Sequence, residues 1–265
     1  MGASYGCVAC AFLFAKTMET FENLLWQLTV GSCDDGKTFT DTTRMDTIAR
    51  LLENSVYRPV YSGNLCRVYA RKEETSCQTL ISSHIDAVYS RFFVEQTADG
   101  WKGTFDNSAT NAVVVDMMLR DALPPHCLVA FTGDEEINSK GAEEVMQWMS
   151  GQSIRPAKVL VLDVTNEGYA DETAYAIEND SGFDILSGYR IVSALQEAQV
   201  MCTVVTDAEP DESWTYSKGV EGYAPLPCLS LCIPADGELH GAAGVCIRKA
   251  AVPLYQQMLA TLAAL

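Results

Sequence analysis

The chain has 265 residues, of which 48% are apolar, enough to bury one large core or two small ones. Its formal charge of -17, from 35 acidic against 18 basic side chains, argues against nucleic acid or an anionic membrane as partner, because either surface would repel it. Acidity on this scale is first a route to solubility, and second a field that favours cationic groups such as a peptide amino terminus.

The chain opens on MGASYGCVACAFLFA, in which residues 8–15 resemble the apolar core of a signal peptide. No Lys or Arg precedes that stretch, and it is far shorter than the ~20 residues that cross a bilayer. Residues 1–17 are therefore read as a leader of uncertain status, and a cytoplasmic location is favoured over export. Amphipathic periodicity then predicts helices over 18–29, 42–54, 107–121, 139–149, 184–197 and 246–264. Between them, Val/Ile/Leu-rich runs predict strands at 65–71, 78–83, 127–132, 158–163, 173–178, 201–206 and 227–233. Those runs are too uniformly apolar for half-exposed strands. The expected fold is α/β, a three-layer sandwich whose mostly parallel central sheet is covered by helices on both faces. Between Asp86 and Asp106, alternation around Ala98-Asp99-Gly100 reads as a β-hairpin near 89–105, an excursion from the sheet too short to be a domain. No repeat or low-complexity segment divides the chain, so 18–265 is expected to form a single domain.

Ten cysteines are present, but Cys127, Cys202, Cys228 and Cys232 fall inside apolar strand-like runs, where a thiol behaves as a small hydrophobe and fits a reducing compartment. Cys7 and Cys10 form a C-x-x-C pair with no second pair to complete a zinc ribbon.

In open α/β sheets ligands bind beyond the carboxyl ends of the strands, so polar residues directly after apolar runs are the informative ones. The run ending Ser82-Ser83-His84-Ile85-Asp86 supplies an imidazole and, two residues on, a carboxylate that can accept its other ring N–H. A lone histidine at a strand end is more often simply hydrogen-bonded. Asp106, in Phe105-Asp106-Asn107, stands where an N-cap belongs, and capping alone would explain it. Thr132-Gly133-Asp134-Glu135-Glu136 places three acids in a row after a strand, where they raise each other's pKa unless a cation compensates; the helix dipole is the plainer alternative. Asp163 ends the run Val159-Leu160-Val161-Leu162, and His240 lies in Glu238-Leu239-His240-Gly241 after the last strand. Of the three histidines, only His126, after Pro124-Pro125, reads as a surface loop residue.

The ordered set H-I-D, F-D-N, T-G-D-E-E-x-x-S-x-G-A, L-D and E-L-H-G resembles the co-catalytic di-zinc exopeptidase clan of lidless aminopeptidases, tetrahedral aminopeptidases and their acylase and carboxypeptidase relatives. The likeness spans residues 78–245, and T-G-D-E-E is its most specific part. The resemblance implies a catalytic domain in which His84 and Asp163 bind one metal ion, Glu136 and His240 bind a second, and Asp106 bridges the two. It further implies that Glu135 is the general base and Asp86 the partner that orients His84. The intervals between these motifs leave no room for a lid domain, which places the architecture nearest the lidless aminopeptidases. Thr206-Asp207-Ala208 and the run into Ile233-Pro234 are also similar to the tetrahedral group, with the 89–105 hairpin standing where that group carries an inserted domain. Asn107-Ser108-Ala109-Thr110 and Asn138 replace glycines common in relatives, and Gly241-Ala242-Ala243-Gly244 lacks the Ser and acid that the tetrahedral type places there.

The chemistry so implied is amide hydrolysis by an exopeptidase. Two divalent cations, zinc by ligand type with manganese or cobalt open, share a water and lower its pKa. Glu135 takes the proton and hands it to the leaving amine. The partner is then a peptide or amino acid amide, with Asp134 or Asp207 as candidates to hold a free amino terminus; homo-oligomerisation stays open. A carboxypeptidase or N-acyl amino acid amidohydrolase would instead present an arginine to a substrate carboxylate, and Arg190 is a candidate. A one-metal, glutaminyl-cyclase-like transferase is a further option within the fold. A metal-free pseudoenzyme or binding module would lack a ligand, and none is missing.

Overall fold

The computed structural model describes residues 20–72, 76–182 and 201–265, together with 193 and 197. Residues 20–29 are helical (α1) and lead through the small strands β1 (Cys33–Asp34) and β2 (Thr38–Phe39) to α2 (Asp41–Leu52). There follow β3 (Tyr57–Ser62), β4 (Cys66–Arg71), β5 (Thr79–His84), β6 (Val94–Gln96), β7 (Gly100–Gly103) and α3 (Ser108–Leu119). The chain continues with β8 (Cys127–Thr132), α4 (Lys140–Gly151), β9 (Lys158–Thr165), β10 (Tyr175–Glu178) and β11 (Cys202–Val204). It closes with α5 (Glu212–Lys218), β12 (Cys228–Gly237), β13 (Val245–Arg248) and α6 (Ala251–Ala264).

The uniformly apolar runs form the middle of the sheet. Strands β8, β5, β9 and β12 lie side by side and parallel, and every residue of β5 and β8 is buried. This is what sheet faces covered on both sides demand. The margins are antiparallel: β4 pairs with β8, β3 with β4, and β10 with β12. One apolar cluster joins α1, α2, α3 and α6 to one face, through Phe21, Ile48, Val113 and Leu259. A second joins α4 and α5 to the other, through Val145, Met149 and Tyr216. Helix α3 has almost no polar side to present to water, and its residues from Ser108 to Met118 are buried throughout.

Three features differ from the expectation. The predicted helix over 246–264 begins only at Ala251, because Val245–Arg248 alternates buried and half-buried residues and pairs as β13. Strand β3 escapes a search for apolar runs because it is a mostly exposed edge strand holding Pro59, with a register shift between Pro59 and Tyr61. Helix α5 is a seven-residue element started by the Asp211 cap. The hairpin near 89–105 is present as β6–β7 and is joined to the sheet, since β7 pairs with β13 and β13 with the end of β12. Trp101 of β7, 1% exposed, fastens it to Phe21 of α1 with ring centroids 5.3 Å apart. The leader at 1–17 lies outside the described residues, as does the helix predicted over 184–197 apart from 193 and 197. Among the described residues no helix is long and apolar enough to cross a membrane.

Candidate metal centre

The parallel strands deliver their polar ends to one place. His84 is the last residue of β5 and is 1% exposed. Asp163 lies on neighbouring β9, one step beyond the paired residues Ser83 and Leu162. Asp106 occupies the turn between β7 and α3, Glu135 and Glu136 follow β8, and His240 follows β12 in a left-handed conformation with φ 64°.

His84 Nε2 lies 3.2 Å from Asp106 Oδ1 and 3.4 Å from Asp163 Oδ1. His240 Nε2 lies 2.9 Å from Asp106 Oδ2 and 3.2 Å from Glu136 Oε2. The site therefore consists of two triads, His84/Asp106/Asp163 and Asp106/Glu136/His240, which share Asp106; in each, one potential donor atom per residue falls within 4.8 Å of the others. Glu135 belongs to neither, its Oε2 standing 3.9 Å from His84 Nε2. Asp86 Oδ1 is 3.3 Å from His84 Nδ1, while its Oδ2 accepts a hydrogen bond of 3.0 Å from the Glu136 backbone N–H, tying the two loops together.

A group of side chains that the sequence did not single out holds these strand ends. Asn111 of α3 donates to Ser83 Oγ at 2.7 Å and to the His84 carbonyl at 2.8 Å, and Thr110 meets Ser83 at 2.9 Å. Asn107 donates to the Leu162 carbonyl at 2.7 Å, next to Asp163. The segment that departs from the glycine-containing pattern thus carries polar groups that reach both ligand-bearing strands. Their only sequence signal is polarity inside an otherwise apolar helix. Gly141 has a separate reason: a Cβ there would lie 2.5 Å from the Gly133 carbonyl oxygen, so only glycine lets α4 press against the loop that carries the acids.

No protein-family model and no curated protein matches the sequence. Solved structures do match. A TET aminopeptidase from the marine sediment archaeon Thaumarchaeota archaeon SCGC AB-539-E09 is 11% identical, with a TM-score of 0.71 over 94% of this chain and 97% of that one. The TET1 peptidase of Pyrococcus horikoshii, which can assemble into a tetrahedron or a large octahedral shell, is 10% identical, with a TM-score of 0.63 over 93% and 99%. The glutaminyl cyclase of Tannerella forsythia is 12% identical, with a TM-score of 0.64 over 93% and 98%. The chain shares the fold of these three structures. At these identities the likeness is one of fold, and the chemistry has to be argued from the site.

Within this fold, crowding sets the electrostatics. Burial pushes the Glu135 carboxyl up to about 9, opposed by the charge of His84 and reinforced by those of Asp163 and Glu212. Burial and the charge of Asp106 raise Glu136 to about 7 and Asp163 to about 6. Asp106 moves the other way: its burial is outweighed by the hydrogen bond with His240 and by the charge of His84 3.2 Å away, which hold it well below the usual carboxylate range. The hydrogen bond to Asp106 lifts His240 to about 9. At His84 burial disfavours the charged ring, yet the charges of Glu135 and Asp163 outweigh it and raise the imidazole well above its ordinary value. Protons are thus what neutralises the cluster when nothing else does. Asp106 Oδ1 and Glu136 Oε1 are also buried without a hydrogen-bond partner, a rare condition for native polar atoms. Divalent cations would displace the protons and satisfy the oxygens, and the mixed imidazole and carboxylate donors suit zinc.

The centre opens into a cavity of about 570 Å³, whose far wall includes Glu167, Glu178, Asp207, Glu209 and Asp211. Among the described residues no Lys or Arg lines it. Asp207 is on that wall and Asp134 is not; Arg190 lies outside the described residues. His126 is exposed and paired with Ser76, away from the centre.

Proposed function

We propose that the protein is a metal-dependent exopeptidase of aminopeptidase type, cleaving the amide bond after a free amino-terminal residue with the help of two divalent cations, zinc by donor chemistry. The sharing of Asp106 between two histidine-carboxylate triads, with Glu135 beside them, carries this reading. His84 and Asp163 would hold one cation, Glu136 and His240 the other, and Asp106 both. Bound cations supply Lewis acidity, lowering the pKa of water and stabilising the charge that develops on the scissile carbonyl oxygen. Glu135 accepts the proton of the attacking water and returns it to the leaving amine. Asp86 accepts the His84 Nδ1–H, fixing the tautomer that leaves Nε2 free to ligate. The acidic wall orients a substrate ammonium and repels a substrate carboxylate, which favours an aminopeptidase over a carboxypeptidase or an N-acyl amino acid amidohydrolase. A cyclase-type transferase draws its support from the Tannerella forsythia fold neighbour, whereas the shared carboxylate supports a two-cation hydrolase. The buried thiols Cys66, Cys228 and Cys232 suit a cytoplasmic setting.

The test is elemental analysis, followed by hydrolysis of aminoacyl and N-acyl chromogenic amides and of a glutaminyl peptide, each with and without chelator. The expected result is about two metal ions per chain and chelator-sensitive release from free-amine substrates only. Turnover confined to N-acyl substrates or to cyclisation would remove the aminopeptidase assignment, and failure to take up metal would remove the hydrolase.

A further inference from the structure

Behind the ligand cage one arginine is fully buried. Arg44, in the first turn of α2, is 0% exposed. Its Nε donates to the Leu28 carbonyl at 2.9 Å and its Nη1 to the Ile85 carbonyl at 2.7 Å, while the guanidinium carbon stands 4.3 Å above the Phe39 ring. Ile85 is the residue between His84 and Asp86. The Nη1 bond therefore pins the segment that joins the imidazole to the carboxylate standing 3.3 Å from its Nδ1. Nη2 is buried with no hydrogen-bond partner, so the side chain is not fully satisfied by its role as a link between α1 and α2. The carboxylates whose charges reach the guanidinium are Asp86, Asp106 and Asp41.

The same turn of α2 meets the second ligand-bearing loop. Asp41 Oδ2 would stand 2.9 Å from a Cβ on Gly133, placing Asp41 against the start of the segment that carries Glu135 and Glu136. Burying a cation that lacks a full set of partners is unfavourable, and an arginine retained in such a place needs an electrostatic or geometric return. Here the geometric return is at hand, a carbonyl inside the H-x-D segment.

We propose that Arg44 is a positioning residue for the metal centre, holding the His84–Asp86 pair through the Ile85 carbonyl in the orientation that ligation requires. The proposal rests on the two-cation reading above. Its test uses Arg44→Lys and Arg44→Met beside the wild type, with Arg120→Met as a control, because Arg120 clamps Asp116 and Gln256 between α3 and α6 and touches no ligand loop. Zinc alone is the probe. Three quantities are read: zinc affinity by competition with a chromophoric chelator, the melting temperature of the metal-free protein, and the ring-nitrogen NMR signals of the three histidines.

Arg44→Lys keeps the charge but cannot donate along both directions of the guanidinium fork. It should lose roughly 10- to 100-fold in zinc affinity, the range seen when partners behind metal ligands are removed, and the His84 Nδ1–H signal should shift. Arg120→Met should lower the melting temperature and leave zinc affinity unchanged. Zinc binding by both Arg44 variants within twofold of wild type, or a loss that Arg120→Met reproduces at equal destabilisation, overturns the proposal while leaving the hydrolase standing. Failure of both Arg44 variants to fold also overturns it, as that is a structural role alone. A wild type that binds no zinc removes the hydrolase and this inference together.

Discussion

Replacing Glu135 by Gln isolates the proton-transfer step from every other feature of the site. The two side chains have the same shape, so the packing around a largely buried position is kept. Glu135 stands 3.9 Å from His84 Nε2 and belongs to neither triad, so its loss should leave metal content at the wild-type value. Asp106, Glu135, Glu136 and Asp163 bring four negative charges against the four positive charges of two dications. In the loaded site Glu135 is accordingly a free base, whereas in the metal-free chain burial and neighbouring charges push it up to about 9. Loss of a positioned general base lowers turnover by about 10²–10⁴, equivalent to about 3–5 kcal/mol of barrier. The assay is kcat on an aminoacyl chromogenic amide together with elemental analysis of the same sample. An enzyme within tenfold of wild type, or one that has lost its metal, refutes the assignment of Glu135 as a base outside the ligand set.

Asp106→Ala should reduce metal content from two ions to one or none and abolish turnover, because both triads pass through that carboxylate; retention of both ions would refute the shared role. Gly141→Ala forces a methyl group against the backbone of Gly133 and Leu65, and should cost about 1–3 kcal/mol by overpacking with a fall in kcat as the Glu135–Glu136 loop shifts. Thermal melts and kinetics of that variant check both effects, and an unchanged kcat would separate the loop from the helix contact. Stability of the metal-free protein should fall as pH rises from about 5 to about 9. Glu135, Glu136, Asp163 and His240 all titrate higher in the folded chain than their ordinary values, so the native state binds more protons than the unfolded one across that interval. Saturating zinc should reverse the slope, since its ligands must be deprotonated to bind. Melting temperatures across pH, with chelator or with zinc, read this directly, and a flat metal-free profile would count against the crowding described for the centre.

Much of the architecture is legible in the sequence because the central parallel strands are buried on both faces and, apart from β5 with its buried Ser82 and Ser83, appear as predominantly apolar runs. The meeting of His84, Asp106, Glu135, Glu136, Asp163 and His240 follows from the same fact, as each lies just beyond one of those runs or in the turn before α3. What stays hidden has equally physical causes. Residues 245–248 alternate with a period of two directly ahead of a true helix, and a four-residue strand leaves too few positions to outweigh the helical pattern that follows. Pro59 and exposed side chains disguise β3. Asn111, Thr110 and Ser83 are polar groups whose partners lie far away in sequence, so nothing local marks them as supports for the ligand strands. The sequence groups Asp134 with the acids that follow it, yet its backbone turns through a left-handed conformation with φ 65°, and it stands off the cavity wall.

The spacing of these side chains along the sequence bears on when the centre can form. Synthesis proceeds from the amino terminus, and His84, Asp106, Glu136 and Asp163 are all laid down long before β12 and the loop bearing His240. Until β12 inserts beside β9, the Asp106/Glu136/His240 triad has only two of its three side chains, and β10 lacks its neighbour. A growing chain therefore carries its own safeguard: the shared-carboxylate centre stays incomplete until almost every layer of the sandwich is in place.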